Sequence, residues 1–143
     1  MFIQNKSTGG KDKAVYIIYT VVLAVFLSLF LNVIFVKTGI SSMSSSYEAT
    51  STKQFSLSLW AGLLMYGLCT PIAEEIVYRG LVYNRLRRYF EMPVPLIVAP
   101  LLFGIAHGNM VQLLYGFMMG FIICFVYERY GSFIYPVLFH LTY

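Results

Sequence analysis

Long apolar stretches separated by short polar segments dominate the chain. After a polar tail at residues 1–13, an uncharged stretch covers residues 14–36. As a helix it is long enough to cross ~30 Å of hydrocarbon. A cleaved signal peptide would have an apolar region of only about 7 to 15 residues, so the pattern favours an uncleaved first transmembrane helix.

A serine- and threonine-rich segment at residues 37–56 follows, and we expect it to be a polar loop on the opposite side of the membrane. Four further apolar segments then begin at Leu57, Leu96, Met110 and Phe133. The last segment ends at Tyr143 after about 16 Å of helix, half of a bilayer. The pattern predicts an all-α, polytopic transmembrane bundle of about five spans. It also predicts that the last span is incomplete and that the domain at residues 57–143 is truncated at its C-terminal end.

Composition and charge support a membrane location. The chain is 59% hydrophobic and 11% charged, which is too apolar for a soluble domain of this size. Lys6, Lys11 and Lys13 place the N-terminus in the cytoplasm by the positive-inside rule. The basic residues lie beside apolar stretches and form no continuous stripe, so we expect a lipid bilayer and no nucleic acid as partner. A bacterial plasma membrane is the expected location.

Three local features predict details of the second and later spans. Pro71 is expected to kink the second span. The alternating arginines at 81–90 predict either an interfacial amphipathic helix on the cytoplasmic face or a solvated basic loop. Two glycine pairs predict close helix packing: Gly104 with Gly108, and Gly116 with Gly120.

Three charges stand where the second span is expected to reach the cytoplasmic side. Glu75 and Arg79 are four residues apart, so on a helix they share a face and can form an ion pair. Glu74 points about 100° away, and its neighbour at i+4 is Tyr78, which cannot neutralise it. Gly67 and Thr70 precede Glu74 on the same face and would leave room beside the carboxylate. Glu74 is therefore the carboxylate available for chemistry, and a snorkelling interfacial cluster is the alternative.

Two histidines, His107 and His140, lie in later apolar segments. A single histidine in such a segment is more often a hydrogen-bonded packing residue. A carboxylate with two imidazoles can act as general base on water, bind a metal or relay protons.

These residues stand in an order that resembles the CPBP family, the CAAX prenyl endopeptidases and bacteriocin-processing proteins also called Abi-type membrane proteases. Its motif EExxxR is matched by residues 74–79, and its motif FxxxH by residues 103–107. A third motif, HxxxN, would begin at His140 and end at position 144. The resemblance covers roughly residues 57–143.

The resemblance implies an intramembrane endopeptidase that cuts a membrane-associated peptide or protein. Glu74 would activate a water molecule, His107 would hold that water, and His140 would stabilise the oxyanion. Glu75 and Arg79 are expected to position these groups. No cofactor is expected, although zinc held by Glu74, His107 and His140 would make a metalloprotease.

Two other functions remain open. One is a non-catalytic membrane protein that binds a partner, for example in bacteriocin self-immunity. The other is a proton-coupled transporter or channel, since intramembrane Glu and His also form proton relays.

One geometric requirement is demanding. His107 lies about 21 Å of helix beyond Pro93, while Glu74 is expected near the cytoplasmic side. A water shared by the two residues requires that they lie within about 10 Å of each other.

Overall fold

The computed structural model describes residues 10–42 and 44–143. Within these ranges the chain forms six α-helices and no β-strand, which confirms the predicted all-α membrane bundle. The helices are α1 (Gly10–Lys37), α2 (Ser45–Phe55), α3 (Leu59–Arg87), α4 (Pro93–Ile105), α5 (Met110–Tyr130) and α6 (Ile134–Leu141). Residues 1–9 of the predicted tail, with Lys6, lie outside the described residues.

Two of the helices, α1 and α5, are long and apolar enough to cross a membrane. A third span is formed if α2 and α3 are counted as one, although the chain bends by 116° between them. Helix α4 has 13 residues and α6 has 8, which correspond to about 20 Å and about 12 Å of helix. By length, therefore, two or three of the five predicted segments are full spans. Helices α4 and α6 are shorter and pack against them.

The predicted loop at 37–56 was wrong in part, because it contains helix α2. Ser44 caps this helix, since its side chain accepts a hydrogen bond from the backbone N–H of Tyr47 at 3.2 Å. Glu48 lies in the first turn and Lys53 in the last, where their charges complement the helix dipole. Capping and charge placement outweigh the weak helix propensity of the serines and threonines.

Helix α3 runs without interruption through Gly80 to Arg87, so Glu74 lies near its middle. The prediction that the span ends at the Glu74 cluster was therefore wrong, and so was a separate interfacial helix after Gly80. Two stretches of α3 are π-helical, Met65–Cys69 and Ile76–Tyr83. Before Pro71 the backbone N–H of Thr70 donates to the carbonyl of Met65, so the wider turn precedes the proline. Such turns recur at functional sites.

Glycines let α4 and α5 approach closely. A Cβ on Gly104 would lie 2.6 Å from the carbonyl oxygen of Leu113, and one on Gly116 would lie 3.4 Å from the Cα of Gly104. A Cβ on Gly120 would meet Phe103 at 3.2 Å. The predicted close packing is confirmed at these three positions. Gly108 instead forms the turn after α4, with a left-handed φ of +72°.

Helix α1 runs antiparallel to α5, whereas α3 runs parallel to it. At one end Tyr16 of α1 packs on Tyr130, with ring centroids 4.8 Å apart, and Arg87 of α3 pairs with Glu128 at 2.8 Å. At the other end Phe35 of α1 contacts Tyr115 near the start of α5. We call the first of these the arginine end, since Arg85, Arg87, Arg88 and Arg129 lie there.

Candidate active site

The predicted ion pair between Glu75 and Arg79 lies at the centre of the bundle. Arg79 Nη1 donates to Glu75 Oε1 at 2.7 Å, and both side chains are fully buried. Arg79 Nη2 donates to the carbonyl oxygen of Gly120 at 3.1 Å, and the guanidinium lies 5.0 Å from the ring centroid of Phe103. One arginine thus connects α3 to both α4 and α5.

Glu74, on the next position of α3, lies beside both histidines. Its Oε1 is 4.0 Å from Nε2 of His107, and its Oε2 is 3.5 Å from Nε2 of His140. The side chain of Glu74 is 26% exposed, unlike that of Glu75. The structure therefore brings together Glu74, His107 and His140, and the requirement for a shared water is met. It is met because Glu74 lies in the middle of α3 and not at its end.

A hydrogen bond to the backbone fixes the ring of His107. Its Nδ1 donates to the carbonyl oxygen of Phe103 at 2.9 Å. Because a carbonyl oxygen only accepts hydrogen bonds, Nδ1 carries the proton. In the neutral ring, Nε2 is then an acceptor that faces Glu74.

His140 bridges the two glutamates, a contact that the sequence analysis did not predict. Its Nδ1 donates to Glu75 Oε1 at 2.6 Å, the same oxygen that receives the hydrogen bond from Arg79. Its Nε2 faces Glu74. Glu75 therefore contacts a second site residue in addition to its ion-pair partner, and it sets the orientation of the imidazole.

Aromatic side chains hold both imidazoles in place. Phe103 makes T-shaped contacts with both imidazole rings. The distance between ring centroids is 4.9 Å to His107 and 5.7 Å to His140. Tyr143 stacks on His140 at 4.8 Å with an interplanar angle of 2°. In the sequence Phe103 was only the first position of a motif. Its place four residues before His107 puts both side chains on one helix face, which is the signal for this contact.

Glu74 and both histidines line a cavity of about 610 Å³. All six helices contribute to its wall, including α1 and α2, for which sequence analysis had given no role. Thr70 lines the cavity as expected, whereas Gly67 is not part of its lining. The polar residues that α1 and α2 add to the wall are Ser28, Asn32, Tyr47, Thr50 and Gln54.

Hydrogen bonds join the α1 part of this wall to α5. Tyr115 donates its hydroxyl proton to Ser28 Oγ at 3.0 Å, and Asn32 Nδ2 donates to the carbonyl oxygen of Ser28 at 2.8 Å. Ser28 and Asn32 are four residues apart in an otherwise apolar segment. That spacing is the sequence signal that could have identified them.

Zinc held by Glu74, His107 and His140 is the mechanistic alternative to an activated water. Among residues 10–42 and 44–143, no group of three or more His, Cys, Asp or Glu side chains is arranged to hold a metal ion. Nε2 of His107 and Nε2 of His140 approach different oxygens of Glu74, and Nδ1 of each ring donates a hydrogen bond that fixes the ring.

The fold and the site define a membrane helix bundle with a carboxylate and two imidazoles in an internal cavity. The type II CAAX prenyl endopeptidase Rce1-like family matches residues 56–143, and the chain belongs to this family. The match begins one residue before the predicted domain boundary and leaves α1 and α2 outside it.

One curated protein is similar to part of the chain. YdiL of Bacillus subtilis (strain 168), which carries the provisional name of a membrane peptidase, is 28% identical over 79 residues. The alignment covers 55% of this chain and 32% of YdiL, so the chain matches about a third of that protein's length. No solved structure matches the chain significantly.

Proposed function

We propose that the protein is an intramembrane endopeptidase in which Glu74 activates a water molecule for attack on a peptide bond. The observation that carries this proposal is the approach of two imidazole nitrogens to the two oxygens of one partly exposed carboxylate, at 4.0 and 3.5 Å. Membership of a family described as endopeptidases supports the reaction class.

The gap between Glu74 and His107 suits a bridging water. At 4.0 Å the two atoms are too far apart for a direct hydrogen bond, yet each can lie about 2.8 Å from one water oxygen. Glu74 Oε1 and the neutral His107 Nε2 are both acceptors. The water therefore donates one proton to each, and its oxygen lone pairs remain free to attack a carbonyl carbon.

Attack forms the new C–O bond while Glu74 takes a proton from the water as general base. The carbonyl π electrons move to the oxygen, which becomes an oxyanion. His140, with protons on both ring nitrogens, donates from Nε2 to this oxygen and from Nδ1 to Glu75. A preorganised donor of this kind contributes about 2.7 to 4 kcal/mol.

Collapse of the tetrahedral intermediate breaks the C–N bond. Glu74 returns its proton to the leaving nitrogen, so the carboxylate is regenerated and one water is consumed for each bond cut. Glu75 and Arg79 position the reacting groups: Glu75 orients His140, and Arg79 balances the buried charge of Glu75.

The proposal is tested with purified protein in detergent and three fluorescence-quenched peptides. One peptide ends in a farnesylated Cys-aliphatic-aliphatic-X sequence, the second is the same peptide without the lipid, and the third is a model transmembrane helix. Cleavage of any of them should fall by about 10³-fold in Glu74→Gln, in line with the loss of a general base.

Glu91→Gln is the matched control, because Glu91 is an exposed carboxylate outside the helices. It should cleave like the wild-type protein. Equal cleavage by wild type and Glu74→Gln, or no cleavage of any of the three peptides by wild type, would reject the proposal in favour of a binding protein.

A further inference from the structure

The cavity lies entirely toward one end of the bundle. Its lining comes from the C-terminal half of α1, from α2, from the first half of α3 and from the start of α5, together with the C-terminal ends of α4 and α6. Since α1 runs antiparallel to α5 and α3 runs parallel to it, these parts all lie at the end opposite the arginine end. Phe35, Tyr47 and Tyr115 mark that end.

Most of the positive charge lies at the other end. Of the ten Lys and Arg residues, Lys37 and Lys53 belong to the cavity end, and Arg79 is buried between the ends. Lys6 and the side chain of Lys11 lie outside the described part of the chain. The five at the arginine end are Lys13, Arg85, Arg87, Arg88 and Arg129. By the positive-inside rule, the arginine end faces the cytoplasm.

A buried layer separates Glu74 from the arginine end. Glu75, Arg79 and Tyr83, on the following turns of α3, have no exposed surface. Tyr83 donates to Glu128 Oε2 at 2.7 Å, and Arg87 Nη2 donates to Glu128 Oε1 at 2.8 Å. These contacts join α3 to α5 below the site, so neither water nor a peptide reaches Glu74 through this part of the bundle.

We infer that the cavity opens on the non-cytoplasmic side of the membrane. If the proposed function holds, the substrates are extended peptide segments exposed at that face, and cytoplasmic C-termini are not reached. The wall that meets such a segment carries uncharged hydrogen-bonding groups, among them Asn32, Thr50 and Gln54. Side-chain amides and hydroxyls of this kind donate to the carbonyl oxygens of a peptide main chain and accept from its N–H groups.

Cysteine labelling tests the orientation without any need for activity. The background is Cys69→Ala, since Cys69 is exposed, whereas Cys124 is buried and is retained. Gln54→Cys and Thr50→Cys report on the cavity end, and Arg88→Cys reports on the arginine end. Each variant is produced in a bacterial inner membrane and treated with a membrane-impermeant maleimide, in spheroplasts and in inside-out vesicles.

We expect both cavity variants to be labelled in spheroplasts and Arg88→Cys only in inside-out vesicles. The reverse pattern, or labelling of both ends from the same side, would overturn the inference. Two cavity variants are used so that one that fails to fold does not decide the result.

A cleavage measurement on the same membranes separates the two proposals. The quenched peptides are added outside spheroplasts or outside inside-out vesicles. Glu74-dependent cleavage in spheroplasts alone supports the inference, and cleavage in inside-out vesicles alone overturns it. With the expected labelling but cleavage on neither side, the proposed function and the substrate assignment fail, while the orientation of the cavity stands.

Discussion

Nε2 of His107 lies 4.0 Å from Oε1 of Glu74, with both side chains partly exposed to the same cavity. The imidazole is held by its other nitrogen, which donates to Phe103. This arrangement gives His107 one free acceptor at a fixed place. The contribution of His107 to catalysis can therefore be measured separately from its contribution to folding.

His107→Leu should lower kcat by about 10²-fold or more, because the water loses one of its two acceptors and its orientation. KM for the quenched peptide that the protein cleaves should change little. Steady-state kinetics in detergent measures both quantities. An unchanged kcat would mean that Glu74 positions the water without His107.

Arg79→Met should destabilise the protein by about 3 to 5 kcal/mol, since it leaves the fully buried Glu75 without its arginine. The double variant Glu75→Gln with Arg79→Met should lose less stability than Arg79→Met alone, because it no longer contains an uncompensated buried charge. Unfolding in a denaturing-detergent titration gives the free energies. Arg88→Met, directly after the end of α3, is the control, and its exposed side chain predicts a change close to zero.

Gly104→Ala should destabilise the packing of α4 on α5 by about 1 to 3 kcal/mol. The added Cβ would lie 2.6 Å from a backbone oxygen of Leu113, which cannot rotate away. Gly62→Ala is the matched control in α3, because a Cβ there meets nothing within 4 Å. If the two variants unfold at the same detergent fraction, the close approach at Gly104 is not a packing constraint.

Thr50→Val and Gln54→Leu remove hydrogen-bonding groups from the cavity wall and preserve much of the side-chain volume. Each should raise KM by about fivefold with kcat unchanged, which corresponds to about 1 kcal/mol for one hydrogen bond to substrate. Thr52→Val, on the exposed face of α2, should leave both constants as in wild type. A fall in kcat at Thr50 and Gln54 without any change in KM would count against a binding role.

Chelation distinguishes the water mechanism from a zinc mechanism. Because the proposed mechanism uses Glu74 as a general base on water and needs no metal ion, we expect that cleavage survives prolonged treatment with a strong chelator and is not increased by added Zn²⁺. Metal content of the purified protein, measured by mass spectrometry, should be far below one zinc per chain. Loss of activity on chelation with recovery on zinc addition would establish the metal mechanism instead.

Much of the site could be predicted from local spacing. The Glu75–Arg79 pair follows from a separation of four residues on a helix, and the close packing at Gly104, Gly116 and Gly120 follows from small residues in apolar segments. The positions at which helices begin and end were harder to predict from the sequence. Helix α2 was missed because its stability comes from the Ser44 cap and not from apolar periodicity. The end of α3 was misplaced because the Glu74 cluster was taken as a membrane boundary, whereas tertiary contacts bury it.

By itself, the sequence determined the membrane location, the all-α class and the identity of the ionisable residues, since hydropathy and helical spacing are local properties of the chain. Only the tertiary structure decided that His140 bridges Glu74 and Glu75, that Phe103 contacts both histidines, and that α1 and α2 complete the cavity. Those contacts join residues far apart in the chain. They depend on how the helices pack against one another, and a one-dimensional pattern does not contain that packing.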